Sequence, residues 1–284
     1  MRGCFDPQAV FLLRVFMNQV LTARRVFLAA IASSVFMFSG GAGATIVEIR
    51  TVMGDFQVNL YDIGTPQTVA NFLGYVNGPV GFNYTDSVFH RSDPGFVLQG
   101  GGFFYDPGEP LSPIGQNAPV LNEPEFANVV GTISMARPGG SNADTATNQW
   151  FINLSDNTAG LDGQDFAVFG EVIGNGMDVV MAIEALDTFG FESPFAEIPL
   201  TNYTDTDFTN QVAVDDTHLI IINEIVVIDA TVDSAGAAGL NPPANTSTNT
   251  PPPPPPTSGG GGGGSLGLLS LLMLTLIFRR RKFV

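Results

Sequence analysis

The chain has 284 residues, and its 27 acidic against 11 basic side chains give a formal net charge of −16. Across residues 45–230 only 3 basic residues face 25 acidic ones, a net of −22, which excludes nucleic acid as a partner because nothing could replace the counterions of a phosphate backbone. The single cysteine, Cys4, lies near the start and only His90 and His218 represent histidine; disulfides, a thiol nucleophile and a histidine-based metal site are excluded with them.

The N-terminus reads as a secretory signal peptide over residues 1–44. Arg24 and Arg25 precede an apolar run to Phe38, and small residues lead to Ala42-Gly43-Ala44, where cleavage would free Thr45. Met17 would by itself open a conventional leader and is a candidate for the true start. The Arg pair leaves twin-arginine export open beside ordinary Sec-type export.

Residues 46–50 and 54–60 alternate and are joined by a tight connection, which predicts a hairpin. Thr65-Pro66 then supplies a helix cap followed by proline at the first helical position. Val69, Phe72, Leu73 and Val76 recur at helical spacing behind it. Residues 77–85 are a turn-rich linker and 88–103 a strand segment. Residues 106–122, with four prolines, are an ordered loop. Strands are predicted at 131–136, 148–154, 167–172 and 219–228, and a second helix at 175–186 with Val179, Val180, Ile183 and Leu186 facing inward. The small, polar stretch between Ala136 and Asn148 has the composition of a loop folded tightly beside a site, and residues 189–216 read as loop. About eight strands with two helices predict a mainly β fold, a closed eight-stranded antiparallel barrel capped by two α-helices.

Beyond residue 230 the composition predicts a disordered Pro/Gly-rich linker over 231–264, with six prolines at 251–256 and six glycines at 259–264. Residues 265–284 hold a fourteen-residue apolar run and the basic tail Arg279-Arg280-Arg281-Lys282. At about 1.5 Å per residue the run spans roughly 21 Å, short of a ~30 Å hydrocarbon core. This tail resembles the GlyGly-CTERM sorting signals of Gram-negative bacteria, which implies export to the periplasm or cell surface and later processing. A plain C-terminal membrane anchor is the alternative.

The most informative stretch is VFHRSDPGFVLQGGGF, residues 88–103. Arg91 is one of three basic residues between 45 and 230, and it precedes the apolar run Phe96-Val97-Leu98, which Gln99 and three glycines close. Two readings stand: a guanidinium aimed at a ligand, or a paired structural arginine. No G-x-S-x-G or phosphate-binding loop occurs. The acidic set Asp205, Asp207, Asp215 and Asp216 lacks the glycine and terminal glutamate of a calcium loop and reads as solvated. His90 reads as a core histidine rather than a base. What remains needs no nucleophile, metal or cofactor: rotation about a peptide bond before proline, whose barrier of about 18–20 kcal/mol comes from C–N resonance. An apolar slot for the ring, a water-poor site and a cation donating to the prolyl nitrogen as it becomes pyramidal would each favour the twisted state over the planar one.

Taken with GTISMAR, NQWFINL, LDGQDFAVFGEVIGNGMDVV and HLIIINEIVV, that stretch resembles the cyclophilins, the cyclosporin-binding class of peptidyl-prolyl cis-trans isomerases. The resemblance implies that Arg91 is the catalytic guanidinium and that Gln99 holds it and contacts the substrate backbone, with Phe96 beside them. Val97, Phe151, Leu161 and Phe166 would line the proline pocket, and Ala136 and Arg137 would offer backbone along the groove. It implies no cofactor or metal, proline-containing polypeptides as partners and a monomer. Four positions depart from the usual pattern: Val97 for Met, Arg137 for Asn as in many bacterial relatives, Gly160 for Trp and Phe166 for His, the last aligned across an extra residue. The Gly160 change should weaken cyclosporin binding rather than turnover. A groove that holds prolyl segments without turning them over, as a chaperone or adhesin, is the competing function. Catalysis requires the Arg91 head group beside Phe96, Phe151 and Leu161 and not buried against an acidic neighbour.

Overall fold

The computed structural model describes residues 45–107, 109–230 and 242–247. The expected leader, most of the expected linker and the apolar C-terminal segment lie outside the described residues. Among the described residues no helix is long and apolar enough to cross a membrane.

The predicted hairpin is β1 (Ile46–Thr51) and β2 (Gly54–Leu60). Their register runs without slip from Ile46 opposite Asn59 to Thr51 opposite Gly54. Alternation buries Val47, Ile49, Phe56 and Val58 on one face. Helix α1 (Pro66–Val76) follows and buries Val69, Phe72 and Tyr75. Its expected cap, Thr65, makes no capping bond; the Thr65 hydroxyl donates to the Tyr61 carbonyl. The Glu123 carboxylate takes that place, accepting the Gln67 and Thr68 backbone N–H groups at 3.2 and 2.8 Å. A negative charge there also suits the positive end of the helix dipole.

The remaining strands are β3 (Ser87–Val88), β4 (Arg91–Asp93), β5 (Val97–Gly100), β6 (Phe103–Asp106), β7 (Glu109–Pro113), β8 (Thr132–Met135), β9 (Trp150–Asn153), β10 (Val168–Ile173), β11 (Thr188–Phe189), β12 (Ile198–Pro199) and β13 (Ile221–Asp229). Eleven of the thirteen described strands form one sheet in the order β4-β5-β9-β8-β10-β2-β1-β13-β3-β6-β7, and β11 and β12 form a second. In that order β4 is first and β3 ninth, yet only Phe89 and His90 separate them in the chain. In a flat sheet, eight steps of about 4.8 Å would place them roughly 38 Å apart, whereas three residue steps reach at most about 11 Å. The sheet must therefore curl until its first strand meets its ninth end to end.

The mainly β expectation holds, but the closed eight-stranded barrel does not: the sheet is open, with β4 and β7 at its edges. The strand count rose for two reasons. The 88–103 segment changes partner midway, Phe89 donating its N–H to the Ile220 carbonyl and His90 to the Gln99 carbonyl. The 106–122 stretch, expected to be loop, contributes β7. Among the described residues there are four α-helices rather than two, α1 being joined by α2 (Thr158–Leu161), α3 (Gly176–Glu184) and α4 (Asp205–Thr209), and a 3-10 turn over Asp162–Gln164. The principal core sits inside the curl, where Phe72, Tyr84, Phe89, Trp150 and Phe169 pack with neighbouring ring centroids 5.2 to 6.3 Å apart.

The 189–216 region is folded, contrary to the loop reading. The β11–β12 hairpin and the turn after it build a second small core of Phe189, Ile198, Leu200 and Tyr203 against Val88 and Leu219. Asp205 and Asp207 are not a free acidic loop either. They open α4, where Thr204 and Asp207 form a reciprocal capping box.

Part of the expected linker is ordered as well. Ala244 bridges Phe126, the Ala127 N–H donates to the Pro243 carbonyl at 2.9 Å, and the Asn245 N–H donates to the Glu125 carbonyl at 2.9 Å. Proline's missing donor costs nothing in this pairing, because Pro243 serves only as an acceptor. A few hydrogen bonds at about 1 kcal/mol each are offset by the entropy of ordering six residues, about 1–2 kcal/mol apiece, so docking adds little net stability. Ending the chain at residue 240 should therefore leave the melting temperature within about 2 °C yet speed exchange of the Ala127 amide tenfold or more. Native-state hydrogen exchange reads this directly, and unchanged Ala127 protection would mean the segment does not dock.

Candidate active site

Register explains how the candidate residues meet. In adjacent antiparallel strands, directly opposed residues point to the same face. Arg91 opposes Gln99, Gln99 opposes Phe151, and Phe151 opposes Ser134. One row across β4, β5, β9 and β8 thus carries Arg91, Gln99 and Phe151 outward, while Leu98, Ile152 and Ile133 turn into the core.

The residues expected to line the slot form a cluster of their own. Val97, Phe151 and Leu161 are 3%, 4% and 6% exposed, and Phe96, Ala136 and Phe166 pack around them. Leu161 arrives at the end of α2. Phe166 follows the left-handed turn at Asp165 and meets Phe151 edge-on, centroids 5.8 Å apart. Arg137 contributes its side chain as well as backbone: its guanidinium lies 4.7 Å over the Phe166 ring and donates to the Gln164 carbonyl. Gly160 leaves open space, since a Cβ there would touch nothing within 4 Å.

Arg91 lies near one wall of this cluster, its guanidinium carbon 5.9 Å from the centre of the Phe96 ring. It is not free of carboxylates, however. Nε donates to Glu197 Oε2 and Nη2 to Asp93 Oδ2, each at 2.8 Å. The two readings of this arginine therefore both hold in part: it is paired and also beside the slot. Its side chain keeps 31% exposure, so it is not buried against the acids. Among the described residues Nη1 has no bonded partner.

Gln99 does not hold Arg91; its amide donates to Gln149 Oε1 at 2.8 Å. Gln149 is a site residue that sequence reasoning missed, although it lies two residues before Phe151, just ahead of β9. Together Gln99, Gln149, Ala136, Arg137, Thr145 and Thr147 line most of a cavity of about 340 Å³ beside the slot. Its wall is the small polar loop after Ala136. Gly102 permits the close approach of Gln149, for a Cβ there would lie 2.7 Å from the Gln149 amide.

Behind the slot runs a buried polar network. Asn128 donates its side-chain amide to Asp162 Oδ1 and the Phe166 carbonyl and accepts from Ser134 Oγ and Asn153 Nδ2. Asn157 donates to Asn153 Oδ1 and to the Phe96 carbonyl, each at 2.8 Å. The slot's aromatic walls are thus tied together through amides.

His90 is buried with its ring 5.0 Å from that of Phe103, and burial, with a smaller contribution from Arg91, pushes its pKa down to about 4. It is neutral at pH 7 and serves the core. Its folded pKa lies below the unfolded 6.5, so the unfolded chain binds the extra proton between these values. Stability from neutral His90 is complete above pH 6.5 and is lost as pH falls towards 4, by up to about 3 kcal/mol. Asp62 and Glu171, whose carboxyls burial raises, act in the opposite sense, but they are common to both proteins compared. A His90→Gln variant should therefore lose about 2 kcal/mol less than wild type between pH 7 and 4.5 in urea unfolding; equal losses would contradict the assignment.

Among the described residues no group of three or more His, Cys, Asp or Glu side chains is arranged to hold a metal ion. The site offers a guanidinium, two amides and a dry aromatic slot. Such a set can bind and twist an amide but cannot form a covalent adduct.

Comparison with known proteins agrees with this chemistry. Residues 46–205 match the family described as cyclophilin type peptidyl-prolyl cis-trans isomerase. The chain is 40% identical over 161 residues to peptidyl-prolyl cis-trans isomerase A of Dickeya dadantii, covering 55% of this chain and 79% of that protein. It is 40% identical over 149 residues to an isomerase of Acinetobacter baylyi, 51% of this chain and 74% of that one. Isomerase B of Escherichia coli is 38% identical over 151 residues, 50% of this chain and 86% of that protein. A solved cyclophilin type isomerase of Cryptosporidium parvum aligns with a TM-score of 0.43 and 22% identity, over 66% of this chain and 98% of that one. The chain belongs to the cyclophilin type peptidyl-prolyl cis-trans isomerase family.

Proposed function

We propose that the domain over residues 45–230 catalyses cis-trans rotation about X-Pro peptide bonds, with Arg91 as the catalytic group. What supports this reading is the Arg91 guanidinium 5.9 Å from the Phe96 ring, which itself packs against Val97, Phe151 and Leu161, with Nη1 bonded to nothing among the described residues. The proline ring enters the slot and fixes one side of the amide, while Gln99 and Gln149 hold the peptide backbone. As the C–N bond twists, its resonance is lost and the prolyl nitrogen gains a lone pair, to which Arg91 donates. That bond is strong only in the twisted state, which is the condition for lowering a barrier rather than merely tightening binding. Uncatalysed, the rotation takes tens to hundreds of seconds, slow enough to limit the folding of exported or surface proteins, which are the substrates this reading assigns.

The leader-like N-terminus and the GlyGly-CTERM-like tail support an exported enzyme held at a membrane through its C-terminal segment before any processing, and the reading takes it as a monomer. The two ion pairs on Arg91 favour one competing reading, a groove that binds prolyl segments without turning them over. NMR exchange spectroscopy on a short Ala-Pro peptide separates the two. Micromolar protein should raise cis-trans exchange by several orders of magnitude over the uncatalysed rate; broadening of the peptide signals without faster exchange would leave binding alone.

A further inference from the structure

Glu197 comes from the segment that has no counterpart among the expected site residues, and its placement is not that of a loose surface carboxylate. Its backbone carbonyl accepts the Ser92 N–H at 2.7 Å while its side chain accepts Arg91 Nε at 2.8 Å. The two contacts fasten the β11–β12 hairpin along the open edge of β4. The next residue, Ile198, is buried in the second core and pairs with Phe189. On the other side Phe195 packs edge-on against Phe103, 4.8 Å between centroids. With Ile198 anchored on one side and Phe195 two residues away on the other, the carboxylate has a defined position from which to hold a partner.

That partner is a long, rotamer-rich side chain. Asp93, from the same face of β4, takes Nη2, and the two carboxylates together determine both the plane and the roll of the guanidinium. Nη1, which has no bonded partner among the described residues, is the donor left for a substrate on this reading. Carboxylates also damp the charge of a cation, so the two effects oppose each other. Glu197 and Asp93 are 43% and 36% exposed, and solvent screens pairs of that exposure heavily. Orientation rests on two directional hydrogen bonds of 2.8 Å as well as on charge, and a donor oriented before the substrate arrives counts most in a reaction that depends on one donor. We infer that Glu197 is a positioning residue for Arg91, which makes the 188–200 hairpin part of the catalytic apparatus. This rests on the reading of Arg91 as the catalytic group.

The test uses the exported chain and NMR exchange on an Ala-Pro peptide over a range of peptide concentrations, giving kcat and KM separately, together with the Nε–H signal of Arg91. Glu197→Ala should lower kcat about tenfold with KM within twofold, and the Nε–H signal should broaden or vanish. Glu197→Gln, whose Oε1 can still accept from Nε, should recover kcat to within about threefold of wild type and restore the signal. Loss of the signal without loss of kcat, or an equal rise in kcat for both variants, would overturn the inference. An Arg91→Ala arm separates the two levels: if it turns over like wild type, the catalytic role of Arg91 fails and the inference with it; if it is slow while Glu197→Ala is not, only the inference fails.

Discussion

Replacing Arg91 with alanine is expected to reduce kcat/KM for prolyl isomerisation by about 10²–10³-fold, the usual effect of removing one preorganised donor from a developing charge. The slot of Val97, Phe151 and Leu161 remains intact in such a variant, so peptide affinity should fall far less than turnover. Unfolding would not explain the loss. Asp93 and Glu197 would be left without their cation, but both are substantially exposed, and exposed pairs contribute only about 0–1 kcal/mol each. Arg91→Lys should restore little, because a point ammonium cannot engage two carboxylates through adjacent edges and still present a donor in the same plane. Exchange rates for the three proteins at one peptide concentration decide the matter. A rate for Arg91→Ala within threefold of wild type would remove the mechanism.

The second large effect concerns stability. Asn128 is fully buried, and its side-chain amide satisfies four partners: Asp162, Phe166, Ser134 and Asn153. Asn128→Ala deletes all four bonds and strands several polar groups away from water, each at about 1–3 kcal/mol. Allowing for water entry, the loss should be about 3–5 kcal/mol, a large share of the 5–15 kcal/mol typical of a folded domain. Because the same amide ties the Asp162 to Phe166 turn to β8 and β9, KM should rise in any variant fraction that stays folded. Urea unfolding at pH 7 gives the number; a loss below about 1 kcal/mol would show that the network is not a cooperative support for the slot.

The apolar slot was legible in the amino-acid sequence only through the family resemblance, since periodicity alone would have left its phenylalanines as ordinary core. Alternation along NQWFINL gives the strand that carries Phe151 but not its role, and Gln149 lies two positions earlier, just ahead of β9. The 189–216 region was not legible as structure: its strands are two residues each, too short for any period to show. Only the Thr204-x-x-Asp207 spacing announced the helix start there. The barrel expectation failed at Phe89 and His90, where one apolar run serves two ladders and no local signal marks the change of partner.

By itself, then, the sequence determined the chemistry available: one guanidinium beside an apolar run, without a thiol nucleophile, in a mainly β domain too acidic for nucleic acid. These are properties of composition and short-range order, carried by residue identity and by periods of two and 3.6. The tertiary structure alone decided which groups hold Arg91. Glu197 is 106 residues away along the chain, and Gln99, the neighbour that the resemblance implied, bonds elsewhere. Pairings of that kind are set by how a curled sheet brings its edge against a distant hairpin, a long-range packing outcome for which the chain carries no local mark.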